Sequence, residues 1–559
     1  MPTLKWIGKD KIINYHNEVP FRLLKENKNL SVNSNDTENL LIKGDNLEAL
    51  KALLPYYYNR IRAIYIDPPY NTGNENWIYN DNVNAPQIKK WLGKVVGGEA
   101  DDLSRHDKWL CMMMPRLKLL RELLEDKGVI FISIGEDEVA NLRCLMDEVY
   151  GEENFVDIVA RVMKTASNKG TFFAPSIDFI LCYAKGIEAL PEFYDEVNES
   201  LYKKAEKDGP RKGERYRDDV ALYQSSLDPL RGCNNQRYFI RAPDGSLLIP
   251  LGNTFPQEKS DGAYIPPQTK EDKVWRWTYE TYFRNKELLI FKKTKTSPLL
   301  DENGQQAKWN IYVKSYLRDR SEQGTKPRNY LDKFINRKAA DYLKVLGIDF
   351  AYSKPKELIY YLLKILKTNK DDIILDSFAG SGTTAEAVLR LNHEDSGHRR
   401  FVLVEMENGI AENITAERLR RLIQGYSYRK GDGKEVKVEG LGGGFKFLEL
   451  DNPLFDKYKQ ISGEPPYEDL AGYIYFTETH STIDWGKANR DDWYLGESNG
   501  VHYFIVYDSK SELAEEFLEI AKRYQGKKVV YADAVMIDDD ELERFDIVFK
   551  QIPYEIKTF

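Results

Sequence analysis

Apolar residues in the first quarter of the chain alternate between two periods. The segments LLIK (Leu40–Lys43), RAIYI (Arg62–Ile66) and VIFISI (Val129–Ile134) are short, nearly continuous apolar runs. Between and after them, LEALKALL, WLCMMMPRLKLLRELLEDKG and EDEVANLRCLMDEVYG repeat their apolar positions every three or four residues. Continuous runs read as strands buried on both faces, spaced ones as helices, and their alternation predicts a parallel sheet with crossover helices. From about Val156 to Asp349 the period becomes irregular and is broken by Pro, Gly and turn sequences such as APDGS and DENGQQ, which predicts a different module. Alternation resumes with KELIYYLLKILK (helix), DIILD (strand), TTAEAVLRLN (helix) and RFVLVEME (strand). The stretch GLGGG, Gly440–Gly444, reads as a hinge into a C-terminal module. There AGYIYF, VHYFIVY and KKVVYAD look strand-like and SKSELAEEFLEIAKRY looks helical. The expected boundaries are 1–38 for an N-terminal segment, 39–155 and 346–430 for two halves of one α/β domain, 156–345 for an inserted domain and 431–559 for a C-terminal α+β module.

Composition adds limits. At 559 residues the chain exceeds one ordinary core, and ~150 residues per domain suggests three or so units. Its 42% hydrophobic and 30% charged residues describe a globular protein rather than a disordered one. No apolar run approaches the roughly 18 residues needed to span a bilayer, and MPTLKWIGKDK lacks the apolar core of a secretory signal, so a cytoplasmic location with no membrane partner is expected. Cys111, Cys144, Cys182 and Cys233 form no CxxC pair, which argues for reduced thiols and against a metal site. A net charge of -8 gives no general reason to expect a nucleic-acid partner. Two basic stretches interleaved with aromatics do: Lys273–Lys295 and Lys314–Lys338. They are either a solvated surface over core aromatics or a phosphate-tracking surface, with Lys273, Arg276, Arg284, Lys292, Lys293, Arg318, Arg320 and Arg328 as candidate DNA contacts.

Two constellations carry chemistry. In RAIYIDPPYNTG a buried strand runs into Asp67-Pro68-Pro69-Tyr70, and the prolines stop any continued strand or helix hydrogen bonding, leaving a stiff turn at a strand's carboxyl end. In IILDSFAGSGTTAEAVLRL, Gly380, Gly382 and Ala385 fit G-x-G-x-x-A between strand and helix, and Glu405 ends the next strand about twenty residues on. That is nucleoside-binding geometry, shared by NAD enzymes and S-adenosylmethionine enzymes; no Lys follows Gly382, so it is not a phosphate-binding P-loop. The pairing with Asp-Pro-Pro-Tyr separates the two, since methyl transfer to an exocyclic amine uses such a turn and hydride transfer does not. The adenine N6 amine is a poor nucleophile because its lone pair is delocalised into the ring. Hydrogen bonds from it to the Asp67 carboxylate and the Pro68 carbonyl favour a tetrahedral nitrogen, and Tyr70 can stack on a flipped base.

The segments LIKGDNLEALKALL, IYIDPPYNTGNENWIYND, YSKPKELIYYLLKI, LDSFAGSGTTAEAV, GLGGGFKFLEL and FKQIPYEI, in this order, resemble the modification (Mod) subunits of type III restriction-modification systems, which are adenine-N6 DNA methyltransferases of the β arrangement. The resemblance implies a Rossmann-like S-adenosylmethionine-dependent methyltransferase fold, circularly permuted so that the catalytic half precedes the cofactor half, with an inserted target-recognition domain. It implies Asp67, Pro68, Pro69 and Tyr70 as the catalytic motif. For the cofactor it implies Asp45 and Asn46 near the adenine ring, and Phe378, Ala379, Gly380, Ser381, Gly382 and Thr383 along the loop. Asp376 would lie near the methionine amine, Glu405 on the ribose, and Lys354 and Pro355 at the methionine end. It further implies double-stranded DNA as substrate, a Mod homodimer and a helicase-nuclease restriction subunit as partner. Asp67, where cytosine-N4 enzymes often carry Ser, favours adenine. One departure is Ile177, where the family often has His. Competing expectations are a subunit that mainly reads DNA sites for its partner, an orphan methyltransferase, an enzyme acting on RNA or a protein amide, and a nicotinamide oxidoreductase, which leaves Asp67–Tyr70 unexplained.

Overall fold

The computed structural model describes residues 3–73, 93, 104–164, 172–230, 232–350, 352–431, 433–507 and 512–557. The part of the Asp67 motif beyond Gly73, through Asp81, lies outside them. The chain divides into two compact units, Met1–Phe193 with Arg328–Phe559, and Tyr194–Pro327.

The first unit is built on the apolar runs. They form β2 (Leu40–Lys43), β3 (Ile61–Ile66) and β4 (Leu124–Ile134), joined by helices α1 (Asn46–Tyr57) and α2 (Arg105–Leu123), with α3 (Val139–Tyr150) following. The later alternation gives α4 (Lys356–Ile365), β8 (Ile373–Asp376), α5 (Thr383–Asp395) and β9 (Arg400–Glu405). With β1 (Arg22–Glu26), β5 (Phe155–Val162), β6 (Ile177–Ala184), β7 (Tyr330–Leu331) and β10 (Lys446–Pro453) they make a ten-stranded sheet in the order β1-β10-β2-β9-β8-β3-β4-β6-β5-β7. The stretch from β10 to β4 is parallel throughout.

Successive residues of each central strand point to opposite faces, so an all-apolar strand feeds two cores. Ile64, Ile66, Ile130, Ile132 and Leu375 face the core covered by α1, α2 and α3. Ala63, Tyr65, Phe131, Ile374 and Leu403 face the other, covered by α4 and α5. The predicted catalytic and cofactor halves thus lie side by side in one sheet through the β3–β8 pairing, although more than three hundred residues separate them.

Four expectations change. The second unit, Tyr194–Pro327, is narrower than 156–345, because the β5–β6 hairpin supplies apolar residues such as Ile180 and Leu181 to both faces of the large sheet. The long helix beginning at Trp109 starts at Arg105 and stops at Leu123, and LEDKG opens β4. GLGGG is pinned rather than hinged: Asn33 Nδ2 donates to the Gly443 carbonyl at 2.8 Å and Asn39 Nδ2 to that of Gly444 at 2.9 Å. AGYIYF is helical, within Tyr467–Thr479, where Pro466 at the N-cap and Glu468 and Asp469 in the first turn start a helix. The strand-like runs after it do pair: Tyr494–Ser498, Val501–Ile505, Lys527–Ala532 and Ile547–Gln551 form a four-stranded sheet.

The second unit has its own core of Tyr238, Trp275, Tyr282 and Trp309. Its main sheet is antiparallel, pairing Leu289–Lys293, Trp309–Tyr316, Arg215–Ala221 and Lys204–Ala205. Among the described residues, no helix is long and apolar enough to cross a membrane.

Candidate active site

Parallel strands bring their carboxyl ends to one edge of the sheet, and four neighbouring ends here carry an acid. Asp67 follows β3, Asp376 ends β8, Glu405 ends β9 and Asp45 follows β2. The crevice outside these ends is where open α/β sheets bind ligands. Tyr65, Asp67, Lys354, Asp376 and the loop Phe378–Ser381 line one pocket there.

Asp67 has two unlike oxygens. Oδ2 accepts from the Lys354 ammonium, while Oδ1 is buried with no hydrogen-bond partner. Burial pushes its carboxyl above the usual range, opposed by the Lys354 charge. An orphaned buried acceptor costs free energy, of the order of 1–3 kcal/mol, that a donor from a ligand would recover. The turn is held from behind, where the Trp109 indole N–H donates to the Pro69 carbonyl at 2.7 Å. Lys354, expected at the methionine end, sits on Asp67 and 5.0 Å from the centre of the Tyr70 ring. Tyr70 is fixed at its far end, its hydroxyl donating to Asp178 Oδ2 at 3.0 Å. The Arg161 guanidinium grips Asp178 in turn, Nε to Oδ1 at 2.7 Å, and both side chains are almost wholly buried. A Cβ on Gly135 would stand 2.9 Å from the ring, so glycine there makes room for it.

The cofactor loop is as tightly built. Gly380 and Gly382 hold φ of 51° and 77°, left-handed values that favour glycine. The Gly380 N–H donates to Glu405 Oε2 at 2.8 Å, and that of Glu407 to Oε1 at 2.9 Å. Arg418 donates to the Ser381 carbonyl at 3.0 Å and pairs with buried Glu386 at 2.7 Å. Ser353 Oγ lies 2.9 Å from Ser381 Oγ, just before Lys354 and Pro355, and Thr383 Oγ1 lies 3.2 Å from the same Ser353 hydroxyl. Asp376 accepts from the Phe378 N–H at 3.0 Å and from the Thr384 hydroxyl, and burial raises its carboxyl to about 7. Asp45 caps α1 through the Leu47 N–H at 2.8 Å, with Arg116 3.3 Å away. Asn46 Nδ2 donates to the Ser377 carbonyl at 3.0 Å, tying the two halves together.

Sequence reading missed Asp178, Arg161, Trp109 and Arg116, which touch the motifs only through tertiary pairing. A polar Asp178 heading the apolar strand FILCYA is the one visible signal. The predicted basic residues divide between the two units. Lys273, Arg276, Arg284, Lys292, Lys293, Arg318 and Arg320 belong to the second unit and Arg328 to the first. Lys292 pairs with Asp218 at 3.0 Å and Arg318 with Glu322 at 3.2 Å, whereas Trp275 and Tyr282 between them are core.

Carboxylates at neighbouring strand ends, a glycine turn and a stiff acidic turn lining the same pocket define a Rossmann-like nucleoside-binding site. The profile of the DNA methylase family, N6_N4_Mtase, matches residues 61–417, and the chain belongs to that family. It is 33% identical over 437 residues to the type III restriction-modification enzyme EcoPI Mod subunit of Escherichia phage P1, covering 74% of this chain and 65% of that one. Against the type II methyltransferase M.KpnI of Klebsiella pneumoniae it is 28% identical over 404 residues, covering 70% and 86%. A DNA modification methylase of Thermus thermophilus complexed with S-adenosyl-L-methionine aligns at 14% identity and a TM-score of 0.31 over 74% of this chain and all of that one. The chain spans about two thirds or less of the type III Mod subunits it matches, 65% for EcoPI and 58% for StyLTI.

The residues present fit S-adenosylmethionine, the methyl donor of such enzymes. Its sulfonium and ammonium charges suit a pocket lined by Asp67 and Asp376, and its ribose hydroxyls suit the carboxylate of Glu405 at the end of the neighbouring strand.

Proposed function

We propose that this protein is a sequence-specific DNA methyltransferase that modifies N6 of a flipped adenine in double-stranded DNA, and that it is the modification and site-reading subunit of a type III restriction-modification system. The observation that carries the reading is Asp67 Oδ1, a buried acceptor without a partner, in the same pocket as the Asp376–Ser381 loop. S-adenosylmethionine supplies an electrophilic methyl group. Asp67 holds the amine: Oδ1 accepts one N6 hydrogen and the Pro68 carbonyl the other, drawing the nitrogen toward a tetrahedral geometry with its lone pair free for in-line attack, and the proton that the methylated nitrogen must shed leaves along the hydrogen bond to Oδ1. The proline pair and the Trp109 hydrogen bond keep this acceptor from swinging away. Lys354 shares the carboxylate and opposes the rise that burial imposes on it. Tyr70, held by Asp178, offers its face to the base, and such stacking is worth roughly 1–3 kcal/mol, comparable with the cost of unstacking.

The likeness to EcoPI and M.KpnI supports a DNA substrate. The order of the motifs and the separate unit Tyr194–Pro327 support a target-recognition domain of its own. A restriction subunit as partner rests on the Mod relatives, and a homodimer on the resemblance alone. Transfer of labelled methyl groups to DNA, followed by nucleoside analysis, tests the reaction: N6-methyladenine is expected from the wild type and none from Asp67→Ala with a native circular dichroism spectrum. N4-methylcytosine as the product would replace the adenine reading. Co-expression with a neighbouring helicase-nuclease and light scattering of the purified chain test the two partners.

A further inference from the structure

Phe172 and Phe173 are 92% and 91% exposed, more than any other large hydrophobic side chain among the described residues. Each carries an aromatic surface that a folded protein ordinarily buries, and exposed apolar surface of this kind marks a contact with another molecule. Their position narrows what that molecule is. They lie between β5 and β6, the hairpin in which Asp178 accepts from the Tyr70 hydroxyl and its cross-strand partner Arg161 holds Asp178. The hairpin continues past β5, with the Met163 N–H donating to the Ser176 carbonyl at 2.9 Å. Phe173 is five residues from Asp178, a reach of at most roughly 18 Å at about 3.3–3.6 Å per residue, and Pro175 stiffens the arm between them. The pair therefore leaves the sheet beside the catalytic turn, within the width of a DNA duplex.

A base drawn out of a duplex leaves a gap in the stack, and apolar side chains that enter the stack lower the cost of making it. We infer that Phe172 and Phe173 form an aromatic wedge that enters the DNA and fills the space left when the target base moves to Tyr70. The inference rests on the proposed DNA methyltransferase activity and adds the element that drives extrusion. A second copy of the chain is the other occupant such a pair could have, but the tie of the hairpin to Tyr70 favours the substrate.

The test uses the full chain and its Phe172→Ala/Phe173→Ala variant on two duplexes carrying the motif the wild type modifies, one with the target adenine normally paired, the other with it opposite an abasic site. The variant is expected to lose about tenfold or more in kcat/KM on the paired duplex and to return to within about threefold of wild type on the abasic one, where extrusion is already cheap. 2-Aminopurine at the target should brighten with the wild type and stay dark with the variant on paired DNA. Equal activity on paired DNA overturns the wedge, as does an equal loss on both duplexes. A changed oligomeric state with unchanged transfer overturns it too and assigns the pair to contact between copies. Absence of transfer by the wild type to both duplexes overturns the enzymatic reading, and the wedge with it.

Discussion

With the cofactor's cationic end placed at Asp376 as proposed, a carboxyl raised to about 7 by burial should make cofactor binding depend on pH where most carboxylates no longer titrate. A cationic ligand binds the ionised form, so apparent affinity follows the ionised fraction. That fraction is about one half at pH 7 and about 3% at pH 5.5, so the dissociation constant should rise roughly 16-fold on acidification, about 1.6 kcal/mol at ~1.36 kcal/mol per decade. Stability moves the other way. A carboxyl raised above its unfolded value stabilises the fold fully below the unfolded pKa, and this contribution is lost as pH climbs through the window from about 4 to about 7. Calorimetric titration with S-adenosylmethionine at several pH values measures the first effect, and denaturant midpoints without ligand the second. Asp376→Asn keeps the side chain's size and the acceptor for the Phe378 N–H, requires the Thr384 hydroxyl to turn from donor to acceptor, and removes the charge, so it should flatten the binding profile and weaken affinity at pH 7. A wild-type affinity constant between pH 5.5 and 7, or a slope that survives in the variant, would refute the assignment.

Tyr70→Ala should lower kcat/KM by about 5- to 150-fold through lost stacking, while Tyr70→Phe, which loses only the tie to Asp178, should cost less; steady-state kinetics on the modified motif distinguish them. Arg161→Met leaves Asp178 buried without its cation and should destabilise the first unit by roughly 3–5 kcal/mol, read as a lowered denaturant midpoint. Gly382→Ala places a Cβ 3.0 Å from Thr415 at a φ of 77°, and should cost about 1–2 kcal/mol and weaken cofactor binding in the same calorimetric assay.

Much of this site is local and therefore legible in the sequence. Asp67–Tyr70 and Asp376–Gly382 each comprise a strand end and the turn after it, and the turn chemistry is written in adjacent residues. The side-by-side placement of the two halves follows from the apolar strands, because residues that are hydrophobic on both faces belong in the middle of a sheet. What escaped reading is non-local. Asp178 meets Tyr70, and Arg161 meets Asp178, only because β6 pairs with β4 and β5, and the one trace in the sequence is a lone acid at the head of an apolar strand. The same pairing moves the start of the second unit from 156 to Tyr194. AGYIYF was expected as a strand because its aromatics suit strands, yet the Pro466 start and a helical face containing Leu470, Ala471 and Ile474 outweigh that preference. Between Lys273 and Lys295, Trp275 and Tyr282 fold inward as core of their own unit while Phe283 stays exposed beside Arg284, and sequence alone cannot sort the two kinds.

Single-molecule sequencing of a methylation-free bacterial genome after expression of this chain, beside expression of Asp67→Ala, tests the central claim most directly. The account predicts N6-methyladenine at one short motif with the wild type and none with the variant. Modification that persists at that motif in the variant would contradict the role given to Asp67, and an unmodified genome from a wild-type chain that binds S-adenosylmethionine would contradict the claim that it methylates DNA on its own.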